Sequence, residues 1–127
     1  MSGQDKLDKM FEAQEAFMHA LVKLGKDDLP ASWPIDMEKK KSQRLCRDII
    51  LRAVEEAFEA LRPLKNWKPH RETELKEFDK EEVLEEVVDS LKYMFEFCIL
   101  VGFTHEELFE AFMKKDAILH EHIRNGY

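Results

Sequence analysis

Two pairs of carboxylates, Glu56 with Glu59 and Glu86 with Asp89, stand three residues apart. That spacing puts both members of a pair on one face of an α-helix. Carboxylates aimed at one point repel each other unless a cation sits among them. Hard oxygen donors without a neighbouring histidine or cysteine suit Mg²⁺, with Mn²⁺ as a substitute. Spacing alone says little: eight such acid pairs occur among 27 acidic residues in 127, where shuffling would give roughly five or six. Most are solvated helix faces. The two pairs singled out differ in placement. On helices wound at about 100° per residue, Glu56 and Glu59 fall at the edge of an apolar arc beside Ile49. Glu86 lies at the flank of the next helix's arc, with Asp89 farther round.

Between the pairs, Arg62, Lys65, Lys68 and Arg71 place four cations and no acid within ten residues, with Asn66, Trp67 and His70 interleaved. Cations there would offset phosphate charge, and Trp67 offers a stacking surface, so the stretch suits a substrate with a polyphosphate and a flat base. A surface loop whose tryptophan plugs a gap between helices would carry the same residues. Gln14 sits in the middle of an apolar stripe formed by Phe11, Phe17 and Met18. A buried amide without partners costs ~1–3 kcal/mol, so a hydrogen bond to another helix or to a base edge is expected. Asp116 falls inside the apolar arc between Phe109 and Ile123. Its burial is expected, and with it a salt bridge or a ligand contact.

The elements that must hold these residues follow from apolar positions recurring at a 3.6-residue period. Four helices are predicted: Asp5 to Lys23, Asp36 to Arg62, Asp79 to Gly102, and Thr104 to about Arg124. Asp79 with Glu82, and Thr104 with Glu107, read as capping boxes, and Pro63 ends the second helix. In the second, Cys46, Ile49, Ile50, Ala53, Ala57, Phe58 and Leu61 are expected inward. In the third the inward set is Val83, Leu84, Val87, Leu91, Met94, Phe95 and Cys98. Four glycines and four prolines are too few turns for a many-stranded sandwich or barrel. The expected fold is an all-α four-helix bundle, one domain spanning 1–127.

A formal charge of −7 disfavours nucleic acid and anionic membranes as partners. The start, MSGQDKLDKM, has charges where a secretory leader would be apolar, and the longest apolar run, Phe97 to Phe103, is far short of a ~20-residue span. Cys46 and Cys98 read as buried free thiols, so a reducing, cytoplasmic setting is expected.

Taken together these residues resemble the all-α nucleoside triphosphate pyrophosphohydrolases, the MazG-like proteins and the dimeric dUTPases. The family's E-E-x-x-E stands here as Glu55-Glu56-Ala57-Phe58-Glu59, and its E-x-x-D as Glu86-Val87-Val88-Asp89. Lys65-Asn66-Trp67 is similar to the lysine-x-tryptophan that follows the first acidic helix in dimeric dUTPases. Gln14 falls where that group has a base-contacting glutamine. Lys115 and the closing Gly126-Tyr127 resemble the last motif, K-x-x-x-N-x-x-R with a trailing G-Y. Counted from Lys115, Leu119 stands at the motif's asparagine and His122 at its arginine, so His120, His122 or Arg124 would have to substitute.

The resemblance implies cleavage of a nucleoside triphosphate to the monophosphate and pyrophosphate in a MazG-like bundle that assembles as a homodimer or homotetramer. Glu56, Glu59, Glu86 and Asp89 would hold Mg²⁺, and Glu55 or an unligated oxygen of Glu56 would orient the attacking water. Lys65, Lys68, Arg71 and Lys115 would contact phosphates, with His122, Arg124 and Tyr127 completing the tail of the site. Gln14, Asn66 and Trp67 would contact the base. An amide such as Gln14 matches uracil, whereas Asp116 would accept from guanine's two donors. The expectation leans to dUTP, with dGTP or another dNTP left open.

A ferritin-like di-metal oxidase needs Glu-x-x-His on two helices, and no histidine here has a glutamate three residues before it. A non-catalytic helical oligomerisation or interaction module is the serious rival, since amphipathic helices need no active site.

Overall fold

The computed structural model describes residues 5–64, 70 and 78–126. These form four α-helices and no strand: α1 (Lys6–Leu24), α2 (Lys40–Glu59), α3 (Lys80–Val101) and α4 (His105–Arg124). Among the described residues, no helix is long and apolar enough to cross a membrane.

Most helix ends are set by local chemistry. The Asp5 side chain accepts from the Asp8 amide at 2.8 Å and starts α1, and Gly25 stops it at φ 65, the left-handed region open to glycine. Asp79 accepts from the Glu82 amide at 3.0 Å at the start of α3. The predicted capping box of α4 forms in full: Thr104 Oγ1 accepts from Glu107 N at 3.1 Å, and Glu107 Oε1 accepts from Thr104 N at 3.0 Å.

α2 is shorter than predicted at both ends. At the front, Asp36 accepts from the Glu38 amide and its carbonyl accepts from Lys39, which makes a turn in place of a first helical turn. At the back, the amides of Leu61, Arg62 and Leu64 each bond to a carbonyl three residues earlier, tightening the chain into turns before and around Pro63.

The chain divides into two compact units, Met1–Pro34 with Cys98–Tyr127, and Ile35–Phe97. In the first, α1 packs on α4. His105 Nε2 lies 3.2 Å from Asp8 Oδ1, and its ring meets Phe11 edge-on at 6.1 Å. The loop after α1 is clamped by Trp33, which stacks on His19 at 4.4 Å and donates its indole N–H to Glu15 Oε2 at 2.7 Å. Gly102, at φ +91, lets the turn before α4 approach Pro34, since an added Cβ would lie 3.1 Å from the proline. This unit buries Phe11, Gln14, Met18, Cys98, Ile99 and Leu100.

In the second unit, α3 is tied to α2 by Ser90 Oγ, which donates to the Ala53 carbonyl at 2.8 Å. Cys46, Ile49, Ala53, Phe95 and Glu96 are buried there. Several residues expected inward are not covered in the single chain: Ala57 and Phe58 on α2, and Leu84, Val87, Leu91 and Met94 on α3, are exposed. Periodicity identifies an apolar stripe but not what lies over it.

Candidate functional site

α2 and α3 bring acids together at one end of their contact. Ala53 lies three residues before Glu56, while Ser90 directly follows Asp89 and stands four after Glu86. The Ser90–Ala53 hydrogen bond therefore sets the register in which Glu56 faces Glu86 and Asp89. One oxygen from each of the three carboxylates lies within 4.8 Å of the other two. All three side chains are half-buried. Burial raises the Glu86 pKa above its ordinary value, and Asp89, Glu56, Glu59 and Glu85 add to the rise through their charge.

Such a cluster fits a divalent ion. Rotamer changes at these side chains would have to draw the three oxygens closer together to share one Mg²⁺. The donor set is all oxygen, as that ion prefers. Burial accounts for the largest part of the rise at Glu86, and repulsion from the neighbouring carboxylates, which a cation would relieve, adds the rest.

The fourth acid of the predicted set points elsewhere. Glu59 forms a two-point ion pair with Arg62, at 2.7 Å to Nε and 3.1 Å to Nη2. It belongs to the cluster by its charge, which reaches Glu86, and not by shared geometry. An arginine one turn on at the end of α2 gives Glu59 a nearer partner. Glu55 lies on the exposed face of α2.

Gln14 is buried as expected, 2% exposed, and its Oε1 has no hydrogen-bond partner. Asp116 is not buried: its side chain is 49% exposed and lies 3.5 Å from His120 Nε2. Asp116 meets His120 without the predicted burial; among the described residues, no side chain of α4 is buried. Lys115, His122 and Arg124 stand on the same helix, all exposed. Lys65, Asn66, Trp67, Lys68, Arg71 and Tyr127 lie outside the described residues.

Three features escaped the sequence reading. Ser90 sets the α2–α3 register, yet one serine in a helix carries no signal of that role. Glu96 is buried although charged, and its place one turn before Leu100 on the apolar side of α3 was the available clue. Trp33, with Glu15 and His19, needed tertiary knowledge of the loop. A separate open groove of about 370 Å³ lies along the first half of α2, lined by Met37, Cys46, Ile50, Leu51 and Phe97. Cys46 Sγ is 3.7 Å from Met37 Sδ within it. Cys46 and Cys98 are free and buried, and burial raises both thiol pKa values. Compared with known proteins, the chain matches no family model, no curated protein and no solved structure.

Proposed function

We propose that the chain is a divalent-metal-dependent nucleoside triphosphate pyrophosphohydrolase of the MazG-like, dimeric dUTPase-like kind, acting in the cytoplasm. The observation that carries this reading is the convergence of Glu56, Glu86 and Asp89 from two helices, with Glu86 held above its ordinary pKa. A structural role for these acids has little to recommend it, because clustering like charges lowers stability.

Mg²⁺, or Mn²⁺ in its place, would be held by Glu56, Glu86 and Asp89, with Glu59 joining on release from Arg62, and would neutralise phosphate oxygens and lower the pKa of a bound water. Glu55 or a free oxygen of Glu56 would orient the attacking water and accept its proton. Lys65, Lys68, Arg71 and Lys115, with His122, Arg124 and Tyr127, are the residues that the resemblance assigns to the phosphates and the tail of the site. Trp67 and Asn66 meet the base. The partnerless Oε1 of Gln14 is an acceptor suited to an imide N–H such as that of uracil. That favours dUTP, while Asp116 keeps guanine in play. The exposed apolar side chains along α2, α3 and α4 support a homodimer or homotetramer.

The test is pyrophosphate release from a panel of dNTPs and NTPs with and without Mg²⁺. Metal-dependent release from at least one, lost in Glu56→Gln and in Asp89→Asn, supports the proposal; undiminished release in both variants removes the assigned site. The rival, a non-catalytic interaction module, draws support from α4, which buries none of its residues. It predicts no release with any nucleotide.

A further inference from the structure

Glu59 is drawn away from Glu56, Glu86 and Asp89 by Arg62, and the way α2 ends is what brings Arg62 there. Past Glu59 the chain tightens: the amides of Ala60, Leu61 and Arg62 bond to the carbonyls of Ala57, Phe58 and Glu59, each three residues back. In turns of that kind side chains at i and i+3 eclipse, so Arg62 stands over Glu59. Its guanidinium then takes both carboxylate oxygens, Nε to Oε2 at 2.7 Å and Nη2 to Oε1 at 3.1 Å. The pair faces two ways. The Glu59 side chain is 25% exposed and the Arg62 side chain 75%. Among the described residues, Glu59 is the one acid that Arg62 meets.

We infer that Arg62 is a positioning residue that couples phosphate to metal: it occupies Glu59 until a phosphate group claims its guanidinium, and Glu59 then joins the other three acids around the ion. This role presupposes the metal centre of the proposed function and supplies what that reading leaves out, the event that frees Glu59. A guanidinium forks onto phosphate as readily as onto carboxylate, so the two compete for one donor set. The outward face of Arg62 meets an arriving anion before the more sheltered carboxylates do. Arg62 is also the first of four cations, with no acid among them, between positions 62 and 71. Glu59 is placed to answer, since it follows Glu56 by three on α2 and its charge already acts on Glu86. Without an ion the other acids repel it, and with one they no longer do.

Each ligand therefore favours the other. Phosphate removes the hold of Arg62 and lends the ion a fourth carboxylate; the ion draws Glu59 over and leaves the guanidinium to the phosphate. Coupling of this kind is reciprocal. Its size is bounded by the strength of the pair that must break. Ion pairs exposed on one side shift equilibria by up to about fivefold, enough to bias Glu59 without locking it.

Calorimetry of Mg²⁺ binding tests this without any turnover. Arg62→Gln is expected to bind the ion ~3-fold more tightly than the natural chain, because Glu59 has lost its rival partner. Removing a positive charge near the acids could tighten binding by itself, so Glu59→Gln is the control. In that background Arg62→Gln should leave the Mg²⁺ affinity unchanged. Arg62→Lys, a point charge in place of a fork, should fall between the natural chain and Arg62→Gln. Millimolar inorganic phosphate, at constant ionic strength, should close the gap between the natural chain and Arg62→Gln. Arg62 is exposed, so helicity by circular dichroism should not change in any of its variants. Equal Mg²⁺ affinities in the natural chain and Arg62→Gln overturn the role of Arg62 and leave the metal centre standing. So does an equal tightening in the Glu59→Gln background. A gap that phosphate leaves open overturns the coupling. If none of these chains binds Mg²⁺, the metal centre itself falls and the role of Arg62 falls with it.

Discussion

The two ends of α3 follow opposite rules. Its last two turns bury Phe95, Cys98, Ile99 and Leu100, and there apolar burial is the source of stability. Its first turns hold Glu85, Glu86 and Asp89 beside Glu56 of α2, and there burial, with the crowding of like charges, pushes the Glu86 carboxyl above its ordinary pKa. One end gains free energy from packing, even though it also buries the charged Glu96. The other gives some up, a cost that is common at functional sites. The contrast separates side chains whose loss should harm the fold from those whose loss should harm only binding and turnover.

The largest effect is expected at the acidic end. If Glu56, Glu86 and Asp89 hold the ion, Glu56→Gln or Asp89→Asn should lower pyrophosphate release by at least about 10³-fold, or about 4 kcal/mol of barrier. Thermal melting should be unchanged or raised, because a repelling charge has gone. A comparable loss of melting temperature in both variants would make the two ends of α3 alike and end the comparison. At the packed end, Leu100→Ala should cost about 3 kcal/mol by urea denaturation. Between the ends, Ser90→Ala should cost about 1 kcal/mol for the lost bond to Ala53. It should also weaken Mg²⁺ binding measured by calorimetry, because it loosens the register of the carboxylates. A Ser90→Ala protein that binds the ion as the natural one does would detach the acids from that register.

How much of this was legible follows from what each feature depends on. The four helices were legible because their period and their caps are local, as the Thr104–Glu107 box shows. The meeting of Glu56 with Glu86 is legible from arc position, whereas Asp89, farther round its helix, enters only through its spacing of three from Glu86. Glu59 was placed with them because its arc position is the same. Only the ion pair to Arg62 separates it, and that pair lies at a spacing of three, as open to reading as the acid pairs themselves. Gln14 was read correctly as buried because a single amide inside a stripe has nowhere else to go. Asp116 was read by the same rule and came out half-exposed. The difference is not local: Phe11 and Met18 are buried beside Gln14 although Phe17 of the same stripe is 48% exposed, whereas among the described residues no side chain of α4 is buried. Amphipathicity reports that a face is apolar, never which surface meets it. The clamp of Trp33 on His19 and Glu15 joins residues 14 and 18 positions apart through an irregular loop, beyond the reach of any period.

The smallest effect is a slope in pH. A carboxyl whose pKa is raised on folding keeps its proton more readily in the folded chain than in the unfolded one. Its contribution to stability is therefore fully present below the ordinary value of 4.5 and is lost as pH rises through the folded value. Glu86→Gln removes that loss. The variant should melt at the same temperature as the natural chain below pH 4.5 and at a higher one near neutrality, with the gap opening just above 4.5. Millimolar Mg²⁺ at neutral pH should narrow the gap, because the ion stabilises the natural cluster more than the variant's. It should do less in acid, where Glu86 holds its proton and a proton competes with the ion for that carboxyl. Melting curves over a pH series with and without the ion read both effects on one instrument. A gap that stays constant from acid to neutral pH would mean that Glu86 feels no excess of negative charge, and the acidic end of α3 would then be an ordinary solvated face.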